Sequence, residues 1–182
     1  MPERVFVAIP IPLRCSRALH RQGLRWHSTR PSWVAVENYH LTLAFLGAVT
    51  DTQITALGTA LPGLAHLLPT SLSVREIGPF PREQGSVLAA LIAPEHPLMK
   101  LREQLTQLLV SLAFPTEDHR SYRPHITLAR GRGSWRQPEN YRFEAFSFQP
   151  RHIGIYAGIH LPEGYRYHPY FRIARKAGSK SG

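Results

Sequence analysis

A short motif that occurs twice constrains this chain more than any other feature of its sequence. The segments His40–Ala44 and His125–Ala129 read His-Leu-Thr-Leu-Ala and His-Ile-Thr-Leu-Ala, so they match at four of five positions. A single His-x-Thr arises readily by chance, whereas two extended copies are rare. The pair therefore indicates a repeated structural unit with a repeated polar group.

The two motifs stand at similar distances from a preceding apolar segment. Val5 lies 35 residues before His40, and Val87 lies 38 residues before His125. Each apolar segment predicts a buried strand, and a helical pattern follows it. We interpret this register as an internal duplication. The predicted copies are residues 5–47 and 87–130, within one bilobal domain of residues 1–175 that precedes a flexible basic tail at residues 176–182.

Hydrophobic periodicity and turn residues predict strands interleaved with three or four helices. The predicted strands are Val5–Ile9, His40–Leu46, Ser71–Ile77, Val87–Ile92, His125–Arg130, Arg142–Phe148, His152–Tyr156 and Tyr165–Ile173. The helices are expected to begin at Pro12, at Asp51 as an N-cap and at Pro97, and to end near Gly23, Leu61 and Pro115. This order favours an α+β fold with two pseudo-symmetric lobes, each a mainly antiparallel sheet with flanking helices, around a central cleft.

Side chains alternate along a strand, which sorts the first motif into two faces. His40 and Thr42 share one face, and Leu41, Leu43 and Phe45 are expected on the other. The apolar face predicts burial in the core. The polar face is thereby left to present an imidazole beside a hydroxyl.

The second motif repeats this arrangement with His125 and Thr127. If the halves pack about a pseudo-two-fold axis, two imidazoles and two hydroxyls line one cleft. In-line displacement at phosphorus needs such a set, because one histidine takes a proton from the attacking oxygen while the other gives one to the departing oxygen. Histidine suits both roles near neutral pH, and the threonine hydroxyls can donate to phosphate oxygens. Spacing alone leaves the two histidines equivalent.

Two other uses of the histidines compete with catalysis. They could be structural residues satisfied by the neighbouring threonines, although a core has no evident reason to repeat a titratable pair on matching faces. They could also bind a metal ion. The sequence near the motifs contains no His-x-His, His-Glu-x-x-His or clustered carboxylates, so we expect no metal. The other histidines, His152 among them, are interpreted as helix-flank, loop or surface residues.

The charge of the chain favours a polyanionic partner. Its formal net charge of +10 comes from 22 basic and 12 acidic residues, and nearly all of the basic residues are arginines. Arginine binds phosphate bidentately, and basic charge accelerates encounters with nucleic acid. Genome composition would explain the arginine bias equally well. Arg123 and Arg130 bracket the second motif and are predicted to bind substrate, although alternation puts Arg130 opposite His125 unless the strand bends or ends there.

Several further features of the sequence indicate the cellular compartment and exclude some classes of enzyme. Cys15 is the single cysteine and has no partner for a disulfide, and no apolar run approaches the roughly 20 residues that span a bilayer. We expect a soluble, cytoplasmic monomer. The sequence has no Walker loop and no Gly-x-Ser-x-Gly elbow, so no nucleotide cofactor is expected. Tyr122, Trp135 and Tyr167 are candidates to stack on an RNA base.

At these motifs the chain resembles the RNA 2',3'-cyclic phosphodiesterases, also called 2'-5' RNA ligases, of the two-histidine phosphoesterase superfamily. The segments that carry the resemblance are Val5–Ile9, Trp33–Asn38, His40–Gly47, Arg123–Arg130 and Tyr156–Tyr167. The similarity thus covers almost the whole chain, and neither motif departs from the family pattern.

The resemblance implies a bilobal fold with a basic cleft, no metal and no nucleotide cofactor. It implies hydrolysis of an RNA 2',3'-cyclic phosphate end, such as that of tRNA halves, to a 2'-phosphomonoester. His40 would be the proton donor and His125 the proton acceptor. Run backwards, with a 5'-hydroxyl in place of water, the same chemistry implies weak, reversible, ATP-independent 2'-5' ligation. A relative that cleaves another phosphodiester, or an RNA-end binding module without turnover, remains an alternative.

Overall fold

Apolar runs rich in β-branched residues form the strands of a single antiparallel sheet. The computed structural model describes residues 4–81, 85–115, 122–131, 133–161 and 164–175, so the tail predicted at 176–182 lies outside the described residues. The strands are β1 Arg4–Pro10, β2 Ser32–Trp33, β3 His40–Gly47, β4 Leu72–Phe80, β5 Val87–Ile92, β6 His125–Arg130, β7 Phe146–Phe148, β8 His152–Leu161 and β9 Gly164–Ala174.

The two motif strands lie at the centre of the sheet, with three strands beyond each of them. Its strands run β7-β4-β5-β6-β3-β1-β8-β9, and β2 pairs with β6 beside this path. The two motif strands, β3 and β6, are therefore central neighbours. Each is flanked by the strand that opens its half, β1 or β5, and the pairs at the centre are antiparallel. The predicted α+β fold with antiparallel sheets is confirmed, and the two half-sheets are continuous through β3 and β6. The strand order has the symmetry that a duplication would produce, and the duplication itself stays a prediction.

Proline and capping residues begin the helices. The helices are α1 Leu13–Gly23, α2 Asp51–Ala60 and α3 His96–Ser111, with 3-10 helices at Val36–Asn38 and Leu61–Leu67. The predicted N-cap at Asp51 is wrong by one residue. Thr50 is the cap, since its side chain accepts from the Gln53 backbone while the Gln53 side chain accepts from the Thr50 backbone. This reciprocal capping box satisfies two backbone donors that a helix start leaves without partners.

The helices cover one face of the sheet and leave the other to the site. Val7 and Ile9 of β1 point into the main core, with the leucine stripe of α3. Phe6 and Ala8 point to the opposite face, where they pack with Tyr156. The alternation of β1 thus separates a helix-covered face from a face that carries aromatic side chains.

Three predicted strands differ from the structure by several residues at an end, and α3 ends at Ser111 and not at the predicted Pro115. The strand expected at Arg142–Phe148 is limited to β7, and β8 runs on past Tyr156 to Leu161. The strand expected at Ser71–Ile77 extends to Phe80. That extension matters because it brings Phe80 to the second motif.

Candidate active site

The two motifs meet in the middle of the sheet. Leu41 of β3 pairs with Ile126 of β6, and both side chains are fully buried in the core. Their neighbours in sequence point to the opposite face. Continuing this antiparallel register by one residue sets His40 opposite Thr127 and Thr42 opposite His125, on one face of the sheet. The predicted residues are therefore brought together by a pairing between equivalent positions of the two motifs.

Backbone carbonyl groups orient both imidazole rings in the same way. The His40 Nδ1 lies 2.7 Å from the carbonyl oxygen of Asn38, and the His125 Nδ1 lies 2.8 Å from that of Arg123. A carbonyl only accepts, so each Nδ1 carries the hydrogen. In the neutral ring, Nε2 is then the free acceptor. Among the described residues these carbonyls, and not the threonine hydroxyls, are the recorded hydrogen-bond partners of the two rings.

Aromatic side chains pack around His40. The Phe6 ring is stacked on it, with ring centroids 4.9 Å apart and 27° between the planes. The Tyr167 ring meets it edge-on at 4.8 Å. Burial by these groups lowers the pKa of His40 to about 4, against the opposing effect of the bond to the Asn38 carbonyl, and the nearby His125 lowers it further.

A different layered arrangement holds His125. The Phe80 ring is stacked on the imidazole at a centroid distance of 3.9 Å and an angle of 24°. The Arg123 guanidinium lies 4.9 Å from the Phe80 ring centroid and donates to the carbonyl oxygen of Pro81. Burial lowers the pKa of His125, and the charges of Arg123 and Arg130 act in the same direction. Both histidines are consequently neutral near pH 7 in the free protein.

A bulge in each motif strand changes the predicted faces. Val7 and Ala8 of β1 pair with Ala44 and Thr42, so Leu43 is an extra residue on β3. Such a bulge shifts the alternation of the residues beyond it. Phe45 is accordingly 53% exposed and contacts Phe6 on the histidine face, and its predicted place in the core is wrong.

The second motif has its bulge at the corresponding position. Leu88 and Ala89 of β5 pair with Ala129 and Thr127, which leaves Leu128 as the extra residue. Leu128 and Ala129 are both buried, and Arg130 beyond them is exposed. The bulge brings Arg130 to the face of His125, where its charge lowers the histidine pKa. Arg130 is thus placed to meet a ligand of the histidines, whereas the Arg123 guanidinium is engaged with Phe80 and Pro81.

The candidate stacking aromatics have different environments. Trp135 is 4% exposed and donates to the Ser86 carbonyl, so it is a core residue and that prediction is wrong. The Tyr122 hydroxyl donates to the carbonyl oxygen of Thr42 at 2.8 Å, which links the two halves. Tyr167 lies beside His40 and faces a cavity.

That cavity lies next to His40 and has a volume of about 160 Å³. It is enclosed by aromatic, basic and polar side chains from both ends of β1, from β8 and β9 and from the segment before β3. Its lining residues are Phe6, Pro10, Glu37, Asn38, Tyr39, His40, His152, Tyr156, Tyr167 and Arg172. The prediction that His152 is a surface residue is wrong, because it is half-buried in this lining.

Sequence reasoning missed Phe6, Phe80 and His152. Phe6 lay within a predicted strand, but alternation alone does not show which face of the sheet carries the site, so Phe6 could not be assigned to it. Phe80 and His152 belong to no motif, so no sequence signal identified them.

The described residues contain no group of three or more His, Cys, Asp or Glu side chains arranged to hold a metal ion. Nor does any helix within the described ranges have the length and apolarity required to cross a membrane.

Sequence comparison identifies relatives over most of the chain. The model of the 2'-5' RNA ligase superfamily matches residues 15–157. The RNA 2',3'-cyclic phosphodiesterase of Bacillus subtilis (strain 168) is 31% identical over 174 residues, which are 92% of this chain and 94% of that protein. The protein of the same name from Geobacillus stearothermophilus is 32% identical over 149 residues, or 80% of this chain, and this chain spans only 46% of its length.

Solved structures share the fold over nearly the whole chain. A phosphoesterase crystal structure superposes with a TM-score of 0.76 at 25% identity, covering 97% of this chain and all of that one. Escherichia coli LigT complexed with 3'-AMP superposes with a TM-score of 0.71 at 26% identity and the same coverage.

Proposed function

The chain belongs to the 2'-5' RNA ligase superfamily, and on that basis we propose that it hydrolyses the 2',3'-cyclic phosphate of an RNA end to a 2'-phosphomonoester. The observation that carries the proposal is the pairing of Leu41 with Ile126. It supports a single site because it sets two histidines and two threonines on one exposed face. The names of the relatives from Bacillus and Geobacillus support the substrate class.

The proposed reaction uses one histidine on each side of the phosphorus. His125 takes a proton from water through Nε2 as the water oxygen bonds to phosphorus. The bond from phosphorus to O3' breaks, and His40 gives its Nε2 proton to the departing O3'. Phosphate stays on O2', and the ring proton on each Nδ1 is held by a backbone carbonyl throughout. The assignment of His40 as donor and His125 as acceptor follows the family, since the geometry of the two rings is equivalent.

The negative charge of the substrate favours the protonated histidine that the free protein lacks near neutral pH. The proton donor must be charged, yet burial holds the His40 pKa at about 4. The monoanionic cyclic phosphate between the rings favours the imidazolium form and raises both pKa values. The donor is therefore protonated mainly in the complex.

The remaining groups of the face stabilise the phosphate. The Thr42 and Thr127 hydroxyls donate to its non-bridging oxygens, where negative charge is held in the transition state. Arg130 adds a positive charge from the second motif. Arg123 is proposed to act chiefly through Phe80, and its predicted direct contact with substrate stays a prediction. This set of donors lets the reaction proceed without a metal or a nucleotide cofactor.

The proposed partner is RNA with a 2',3'-cyclic phosphate end, acted on by a cytoplasmic monomer. Reversal of the same steps, with a 5'-hydroxyl replacing water, would form a 2'-5' linkage. Water at bulk concentration favours hydrolysis unless a second RNA is held in place. Ligation is accordingly proposed to be weak and reversible.

The test is hydrolysis of a short RNA ending in a 2',3'-cyclic phosphate by EDTA-treated protein. We expect a 2'-phosphate product, identified by its mass and by its sensitivity to phosphatase. His40→Ala and His125→Ala should each lower kcat by roughly 10²- to 10⁴-fold, the range of general acid and base catalysis.

His66→Ala is the matched control. His66 is an exposed histidine whose Nδ1 also meets a backbone carbonyl, that of Gly63 at 2.8 Å, but it lies outside the site. Its loss should leave kcat unchanged. Turnover that survives either motif variant, or that disappears on treatment with EDTA, would contradict the mechanism.

A further inference from the structure

The cavity beside His40 extends the site in one direction along the sheet. His40 of β3 pairs with Pro10 of β1. On the other side of β1, Ala8 pairs with Gly154 of β8 in antiparallel register, which sets His152 opposite Pro10. His40, Pro10 and His152 therefore lie in one row across the three strands. Neighbouring strands are about 4.8 Å apart, so His152 lies two strand spacings, roughly 10 Å, from His40. This separation is of the size of one nucleotide unit.

The far end of the cavity is basic. Arg172 of β9 pairs with Gly154 of β8, and its charge contributes to lowering the pKa of His152 after the larger effect of burial. Arg172 is exposed, so its guanidinium is accessible to a ligand. Arginine binds a phosphate through two parallel N–H donors. Arg172 thus gives the wall opposite His40 a positive charge, and His152 adds an imidazole that can form hydrogen bonds.

Two further features fit a ligand at this wall. Tyr156 is 7% exposed, and its hydroxyl makes no hydrogen bond of ordinary geometry within the described part of the chain. The Arg172 side chain nevertheless lies near enough to lower the pKa of Tyr156, against the larger effect of burial, which raises it. Arg172 and the Tyr156 hydroxyl thus form one polar group in the lining of the cavity. Gly154 has no side chain, and a Cβ there would lie 2.6 Å from the Phe171 carbonyl oxygen and 2.8 Å from the Tyr156 ring, so the glycine lets both approach the backbone of β8.

The proposed role of His40 determines which part of an RNA end reaches this wall. His40 protonates O3', so the ribose of the terminal nucleotide lies beside His40. The same ribose carries a phosphate on O5' that links it to the preceding nucleotide. We propose that Arg172, with His152, binds this 5' phosphodiester and so makes the cavity a subsite for the nucleotide before the end. The inference rests on the proposed function of the His40 and His125 face.

One acidic residue also lines the cavity. Glu37 lies in the 3-10 helix before β3, whereas Arg172 lies on β9, at the other end of the row of strands β3, β1, β8 and β9. The carboxylate is therefore at the His40 end and the guanidinium at the far end. An anion is attracted to the Arg172 end, which sets the direction in which the chain of nucleotides runs.

The direct test compares two ligands that differ by one phosphate. Adenosine 2'-phosphate and adenosine 2',5'-bisphosphate are titrated calorimetrically into wild type, Arg172→Gln and Arg166→Gln. Arg166 is the matched control, since it is an exposed arginine of the same strand that does not line the cavity. We expect wild type and Arg166→Gln to bind the bisphosphate about tenfold more tightly than the monophosphate, the usual size of a charged hydrogen bond. Arg172→Gln should lose this difference, while its affinity for the monophosphate changes by less than about twofold. Equal binding of both ligands by wild type, or equal weakening of both by Arg172→Gln, would overturn the subsite.

A kinetic comparison separates this inference from the proposed function. A nucleoside 2',3'-cyclic phosphate lacks the 5' phosphate, and a dinucleotide with the same cyclic end has it. Arg172→Gln should lower kcat/KM for the dinucleotide by about tenfold and spare the mononucleotide. If both substrates are turned over and Arg172→Gln affects them equally, the subsite is refuted while the function stands. If neither is turned over, the function is refuted, and the calorimetric comparison alone decides the subsite.

Discussion

Replacement of Phe80 by leucine tests whether the ring stacked on His125 positions that histidine. The ring centroids are 3.9 Å apart, and the Arg123 guanidinium lies 4.9 Å from the centroid of the phenyl ring. Leucine keeps an apolar side chain in β4 but removes both contacts. His125 then keeps only its bond to the Arg123 carbonyl as a fixed partner. We expect the imidazole to sample orientations in which Nε2 does not face the phosphorus.

The structure gives the size of the effect. An aromatic stack contributes about 0.5–1.5 kcal/mol beyond area burial, and a partly exposed cation–π contact contributes about 0.5–1 kcal/mol. Together they hold the layered rings by about 1–2.5 kcal/mol. Since 1.36 kcal/mol corresponds to a tenfold change in rate, kcat should fall by about 5- to 70-fold.

The pH profile distinguishes positioning from a general loss of structure. Burial lowers the pKa of His125, so removal of the ring should raise that pKa towards its ordinary value. A base acts only when neutral, and the kcat/KM profile should therefore shift to higher pH. Phe80→Tyr, which keeps the ring, should behave as wild type. Phe146→Leu is the control, because Phe146 is a partly buried phenylalanine of β7 that packs on the main core. An unchanged kcat together with an unchanged kcat/KM profile in Phe80→Leu would refute the positioning role.

The remaining predictions concern pH, charge and packing. The pKa of His40 is about 4 and that of His125 is also lowered, so kcat/KM, which reports the free protein, should rise as pH falls below 7. The optimum of kcat, which reports the complex with phosphate, should lie at higher pH. A kcat/KM maximum above pH 7 would contradict this prediction. Arg130→Gln should lower kcat/KM by about tenfold through the loss of one charged contact, and it should shift the kcat/KM profile to higher pH, since Arg130 no longer lowers the His125 pKa. An unaltered profile would show that Arg130 is not at the site. Gly58→Ala places a Cβ 2.5 Å from the Phe171 ring, which is too close for an ordinary contact. The midpoint of thermal unfolding should therefore fall by about 2–6 °C. An equal or higher midpoint would contradict that packing.

The sequence was sufficient to place each histidine and its threonine on one face of a strand, because that placement depends on local alternation. His40 and Thr42 are two residues apart on a strand, so they share a face whatever the strand pairs with. Repetition of the motif then indicated a second, equivalent strand. The relative order of these two strands in the sheet followed only from the structure, through the pairing of Leu41 with Ile126.

What could not be predicted depends on contacts between distant segments. Phe45 was expected in the core because alternation was continued through Leu43, whereas the bulge there exists only relative to β1. Phe80 lies 45 positions before His125 in the sequence, and its stack requires β4 to pair with β5 and β5 with β6. His152 carried no signal because its neighbour in the sheet, β1, is distant in sequence. Such features arise from tertiary pairing and not from local propensity.

The junction of β3 and β6 is also the place where the ladder of the sheet is shortest. The long strands on either side are paired along most of their lengths, whereas β3 and β6 share the single pair of Leu41 and Ile126. The Tyr122 hydroxyl adds a second link between the halves, through the carbonyl oxygen of Thr42. The relative position of the two motif histidines therefore depends on one backbone pair and one side-chain hydrogen bond, so a substitution at this junction would affect both histidines together.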